Sequence, residues 1–341
     1  MASFVRLVER HRVAAVLLFL LVFPLLMPYE ALAVNILVFG LYAVGFNLLF
    51  GYTGLLSFGH AAFFGVGSYL TGIAIVHAGL PWPVAIAAGV AASLVVGAAV
   101  GFLAIRSRGI YFSMVTLALA QIVYYGFYKA ERWTGGENGL RGVRVDPIEF
   151  AGLRLDFTNP TTKYYVILVF VAAALWLVSR ILASPFGAVM EAIRENDRRA
   201  AACGYDVPRS KLLVFVLSAG LCGLAGSLRA IHLSVVPIDS LHYLTSGHAV
   251  MMCLLGGMGT FFGPFVGAGV FLYLEDVVTT LTQHWMLVVG IVFMAFVLFF
   301  PRGIWGTVLH VLHRRTQRSE AAAARGVGAP VEAAPAGEVR P

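Results

Sequence analysis

The chain has 341 residues, of which 60% are apolar and 12% charged. Soluble domains run about 45–50% apolar and about 25% charged, so soluble enzymes, disordered proteins and nucleic-acid-binding domains are excluded and a polytopic membrane protein is indicated. The net charge of +7 then reads as topology, because Lys and Arg collect in the cytoplasmic loops of such proteins.

A basic N-terminal segment, residues 1–12, precedes an apolar run from Val13 to Met27. Pro24, Pro28 and Tyr29 stand where a signal peptide needs small residues, so the run reads as an uncleaved first span starting inside. Ala31 to Phe50 is the second span, broken at Gly51-Tyr-Thr-Gly54. Phe58 to His77, dense in Gly and Ala, is the third. Pro81 and Pro83 open a fourth that ends at Ile105, before Arg106-Ser-Arg108, and Ile110 to Tyr128 is the fifth.

A hydrophilic outer loop, 129–162, follows. Within it Val143-Arg-Val-Asp146 and Leu153-Arg-Leu-Asp-Phe157 alternate with period two around Ala151-Gly152, which fits a small hairpin or a solvated connector. Tyr164 to Leu182 is the sixth span. A charged segment, 183–210, separates it from the seventh, Leu212 to Ile231. His248 to Leu255 is short for a crossing and ends at Gly256-Gly-Met-Gly259; Phe261 to Leu274 and Trp285 to Phe300 complete about ten spans. The expected fold is therefore an all-α polytopic membrane domain over 13–312, with helices broken at Gly-rich segments and both termini cytoplasmic. The tail, 313–341, rich in Ala, Pro, Gly, Glu and Arg, reads as disordered.

Charge supports this alternation. Arg106, Arg108, Arg194, Arg198, Arg199, Arg209 and Lys211 fall inside, whereas the basic residues of the outer loop are nearly balanced by acids. Arg229 falls near the outer face. Glu275 and Asp276 lie far enough along a span that starts inside, at about 1.5 Å per residue, to reach the outer interface. His60, at the inner start of the third span, reads as a histidine satisfied at a helix end in preference to a proton relay. Few ionisable groups lie at membrane depth, where they are costly, so the chain lacks an ion engine of its own.

Catalytic motifs are missing. Lys129, Lys163 and Lys211 follow Tyr128, Thr162 and Ser210, so none closes a Walker motif. Neither HExxH nor GxSxG occurs; Leu55-Leu-Ser57-Phe-Gly59 lacks the first glycine. Cys203, Cys222 and Cys253 form no CxxC pair and read as small buried residues. No catalytic residue, metal or cofactor is expected.

The charged segment is the most informative. Ser184 can cap a helix with Pro185 at its first position, and Gly204 can end it. The result is one helix of about 18 residues, supported by Glu191–Arg194 and Glu195–Arg199 pairs. Val189, Ile193, Asn196 and Ala200 form a mild stripe, and Ala200-Ala-Ala202 permits close approach by another surface. A short helix between two spans can sit in a cleft of a cytoplasmic partner, so that motion of the partner moves both spans; a plain interfacial helix would look similar.

Five segments together carry a family resemblance: Gly51-Tyr-Thr-Gly-Leu-Leu-Ser-Phe-Gly-His60, Gly109-Ile-Tyr-Phe-Ser-Met-Val-Thr-Leu-Ala118, Thr134-Gly-Gly-Glu-Asn-Gly-Leu140, Ser184 to Gly204, and Gly256-Gly-Met-Gly-Thr-Phe-Phe-Gly-Pro264. Over Leu32 to Trp305 the chain resembles the membrane-spanning permeases of branched-chain amino-acid ABC importers. The resemblance implies a non-enzymatic, multi-pass inner-membrane subunit, embedded in lipid and binding no nucleic acid. Its implied partners are ABC ATPase subunits, a second related permease and an extracytoplasmic substrate-binding protein. It also implies ATPase coupling through Glu191, Ala192, Arg194, Glu195, Asn196, Arg198, Ala201 and Gly204, with Glu191-Ala-Ile193 in place of the older Glu-Ala-Ala pattern. Permeases for urea or short amides look alike at this level, and an ion-coupled carrier or a passive channel are readings from other classes. The two Gly-rich breaks resemble each other, as a trace of an internal repeat would. An unwound backbone at membrane depth needs protein or water around it, so the breaks are candidates to line the pathway. Thr53, Ser57, His60, Thr116 and Gln121 would then offer polar contacts there, or serve as polar glue between helices.

Overall fold

Helix α1, Glu30–Thr53, is apolar on every side, and a helix without a polar face has to be enclosed. In the computed structural model it is the central helix of the bundle, buried along almost its whole length. The structure describes residues 20–21, 23–25, 29–145, 148–150, 153–155, 159–300 and 303–307. Most of the expected first span, the segment 1–12 and the expected disordered tail lie outside these residues.

Around α1 stand α2 (His60–Val76), α3 (Trp82–Ala104), α4 (Ile110–Lys129), α5 (Pro160–Ala183), α8 (Val207–Leu233), α9 (Tyr243–Gly256), α10 (Gly263–Leu281) and α11 (Trp285–Phe299). Two short helices, α6 (Pro185–Glu195) and α7 (Asp197–Ala202), connect α5 to α8. The protein is all-helical, and among the described residues 7 helices are long and apolar enough to cross a membrane. Helices α2 and α9, with 17 and 14 residues, reach only about 25 and 21 Å at ~1.5 Å per residue, against a hydrocarbon core of about 30 Å. Each stands in line with a non-helical break, 54–59 before α2 and 257–262 after α9.

Small residues bring the central helices together. A Cβ on Gly226 of α8 would fall 1.8 Å from the Phe64 carbonyl oxygen of α2, and one on Gly67 would fall 2.2 Å from the Gly223 oxygen. That proximity lets hydroxyls bond across the seam: Ser68 donates to Gly226 O at 2.6 Å, and Ser227 to Gly67 O at 3.2 Å. Lipid tails give apolar helices no reason to associate, so such packing and bonding hold a membrane bundle together. Ile122, Val169, Ile291 and Leu298, on α4, α5 and α11, are exposed, as lipid-facing side chains must be.

The loop after α4 folds back onto the bundle. Thr134 donates to Phe127 O at 2.7 Å and accepts from Gly136 N–H. Strand β1 (Leu140–Arg141) pairs antiparallel with β4 (Val235–Val236), which follows α8. Leu140 and Val143 are buried with Tyr69, Val236 and Leu241, so the Thr134–Leu140 motif seals one end of the α2–α8 seam.

Several expectations need correction. The strand pair that forms is β2 (Ile148–Phe150) with β3 (Leu153–Leu155), while the expected turn, 151–152, lies outside the described residues; Val143, expected in the first strand, packs against the bundle instead. Helix α1 continues through Gly51 to Thr53 and ends at Gly54, whose φ of +76° is open to glycine, so the break lies three residues later than expected. Helix α8 begins at Val207, because Asp206 accepts from Arg209 N–H at 3.1 Å and Pro208 suits a first turn. Of the cysteines, Cys222 and Cys253 are buried and Cys203 is exposed.

Candidate functional site

The 183–210 segment is not one helix. Helix α6 ends at Glu195, and Asn196 turns extended with φ −162°. Its Oδ1 accepts from the amides of Arg198 and Arg199 at 3.0 and 3.1 Å, capping α7. Asn196 therefore leaves the expected stripe and is exposed. Val189, Ile193 and Ala200 do form the buried face, joined by Val207 at the start of α8. Ser184 occupies the capping position of α6, yet its hydroxyl donates back to Ile181 O at 2.6 Å. Gly204 ends α7 with φ +88°.

This packing leaves Glu191, Arg194, Glu195, Asn196, Arg198, Ala201 and Gly204 exposed and Ala192 half-buried. Neither expected ion pair, Glu191–Arg194 or Glu195–Arg199, forms among the described residues. Asp197 instead pairs with Lys211 of α8, tying α7 to the helix that follows.

Arg194 turns inward. Its Nη1 donates to the Gly51 carbonyl oxygen in the last turn of α1, and a Cβ on Gly259 would lie 2.6 Å from the same nitrogen. Asn47, one turn earlier on α1, accepts from Gly259 N–H and donates to Thr260 O, each at 3.0 Å. One cluster thus contains the α6–α7 segment, the end of α1 and the 257–262 break. Two backbone groups of the second break thus find their partner on α1, as backbone away from water requires.

The first break is held by α2, α4 and α8. Ser113 of α4 donates to Leu56 O at 2.6 Å, and Thr116 accepts from Phe58 N–H at 3.2 Å. Ser218 of α8 spends its one proton on Gly45 O at 2.5 Å, so it accepts from His60 Nε2 at 2.8 Å. Nδ1 is then the acceptor, 3.1 Å from Ser57 Oγ. Enclosure by Phe46, Phe63 and Phe215 disfavours a charged ring, so the imidazole is neutral with its proton on Nε2. Ser57, His60 and Thr116 are fully buried with their polar groups bonded inside the protein. Thr53 is buried beside them and bonds Leu48 O at 3.3 Å, whereas Gln121 lies farther along α4, half-buried, outside the cluster.

Between this break and the α6–α7 segment is a cavity of about 520 Å³, lined by Thr53, Leu56, Ser113, Arg194, Asn196 and Lys211 among others. A gap of this size between a surface segment and a broken helix gives the two room to shift against each other. The sequence reading missed Asn47, Ser113, Ser218 and Thr260. For Asn47 a signal existed, an amide in an otherwise apolar run.

The family described as branched-chain amino acid transport system / permease component matches residues 29–297. The chain belongs to this family. Among curated proteins, this permease is 25% identical over 292 residues to the high-affinity branched-chain amino acid transport system permease protein LivM of Salmonella typhimurium, covering 80% of this chain and 69% of that one. It is 27% identical over 281 residues to LivM of Escherichia coli K12, covering 76% and 66%. The permease therefore spans about two thirds of the length of these LivM relatives. A third relative, the permease protein LivH of Escherichia coli K12, is 25% identical over 285 residues, 79% of this chain and 91% of that one. No solved structure matches the permease. Family and apolar helices together make it a multi-pass protein of the inner membrane.

Proposed function

We propose that this permease forms the translocation path of an ATP-driven importer of branched-chain or related hydrophobic amino acids. It works with ABC ATPase subunits, a second related permease and an extracytoplasmic binding protein. The observation that carries the reading is the reach of Arg194: a segment with an exposed, charged outer face bonds directly to the end of α1, beside the second break. Cytoplasmic ATPases grip the face formed by Glu191, Glu195, Asn196, Arg198, Ala201 and Gly204. ATP binding draws the segment inward, and Arg194 passes the shift to Gly51 and Gly259. The end of α1 and the second break then move together, because Asn47 clamps one to the other. The solute path runs beside the breaks, with Thr53 at its wall and Ser57, His60 and Thr116 holding its shape; Gln121 lies higher along the same side.

Ala201 is exposed, so Ala201→Trp leaves the fold intact while blocking close approach. Affinity purification in mild detergent should recover this variant from the membrane without the ATPase that accompanies the native chain. Undiminished ATPase recovery would place the docking surface elsewhere.

A further inference from the structure

The far end of the bundle from α6 and α7 carries a second cavity of about 380 Å³, a size typical of small-molecule sites. It lies between the first turns of α1, the end of α8 and the last turns of α10. Its lining includes Arg229 of α8. Glu275 of α10 and Asp239, just beyond β4, supply negative charge, while Leu32, Phe39 and Leu272 supply apolar wall.

Arg229 is held in place without being neutralised. Its guanidinium stacks 4.8 Å from the ring centre of Phe39 and 5.7 Å from that of Phe64, which fixes its plane. Its Nε is buried with no hydrogen-bond partner. Among the described residues no carboxylate comes within ion-pair distance, although Glu275 and Asp239 line the same cavity. Asp276 differs, being occupied by the Tyr29 hydroxyl. A buried guanidinium normally pairs with an available acid, because an unpaired charge away from water is costly. Here rigid aromatic stacking keeps cation and anion apart, facing one cavity.

We propose that this cavity binds the zwitterion of an α-amino acid with an apolar side chain. Arg229 takes the carboxylate through its planar fork. Glu275, with Asp239, takes the ammonium group, and Leu32, Phe39 and Leu272 cover the side chain. As a station on an import path the site rests on the function proposed above; as a binding site it stands on its own geometry.

The test titrates the full-length chain in detergent micelles with L-leucine, L-leucinamide and 4-methylpentanoate, reading ligand-dependent thermal stability. L-Leucine should bind at least about tenfold more tightly than either analogue, each of which lacks one charge of the zwitterion. Arg229→Gln should erase the preference over leucinamide and keep that over 4-methylpentanoate; Glu275→Gln should do the reverse. Absence of saturable leucine binding, equal binding of the three ligands by the native chain, or retention of both preferences in both variants would overturn the site. The native ligand series decides the matter even if a variant does not fold. ATP-dependent leucine uptake by the assembled complex in proteoliposomes separates the two claims: uptake without charge selectivity removes the site and leaves import, whereas selective binding without uptake removes import and leaves the site.

Discussion

Asn47 does work that no helix propensity describes. Asparagine favours caps and turns because its amide competes for the backbone, yet this one sits near the end of the most buried helix. Its amide supplies a donor to Thr260 O and an acceptor to Gly259 N–H. Replacing it with leucine leaves both groups orphaned at about 1–3 kcal/mol each. Asn47→Leu should therefore lower the unfolding temperature in micelles and speed hydrogen exchange at Gly259; if neither changes, the clamp bears no load. The polar residues singled out from sequence, Ser57, His60 and Thr116, proved to be neighbours. Ser218, which completes their network, was not legible, because it is 158 residues from His60 in the chain and one hydroxyl among many in a small-residue span.

At the scale of elements, spans were readable because twenty apolar residues can do little else in a bilayer. Breaks were readable from Gly clusters, though not their register: Gly51 is helical and Gly54 is the residue that turns. The 183–210 segment shows a different limit. Its helical period runs through Asn196 uninterrupted, and nothing local chooses between continuing the helix and capping a new one. Packing of Ile193 and Ala200 against Val207, with Lys211 held by Asp197, selects the capped form. Asn196→Ala should cost α7 about 1 kcal/mol, read as faster exchange at the amides of Arg198 and Arg199, and Asn196→Asp should restore protection. Unchanged exchange in the alanine variant would refute the cap.

For the whole molecule, the described residues contain no P-loop, and His60 is fully buried with both ring nitrogens hydrogen-bonded inside the protein. The import function proposed above draws its work from ATPase subunits. The purified chain reconstituted alone, with a proton or sodium gradient, should show no uphill leucine transport; accumulation against a gradient would replace the ATP-driven reading with ion coupling.

Composition and periodicity alone determined that this is a membrane protein, where most of its helices run, and that a charged segment lies between α5 and α8, since bilayer insertion is judged segment by segment on local hydrophobicity. Only the tertiary structure decided that Arg194 joins that segment to the end of α1, that Asn47 joins α1 to the second break, and that Arg229 shares a cavity with Glu275 without pairing with it. Those relations depend on how closely helices far apart in sequence can approach, which is set by glycine contacts and hydroxyl bonds across seams that no single segment contains.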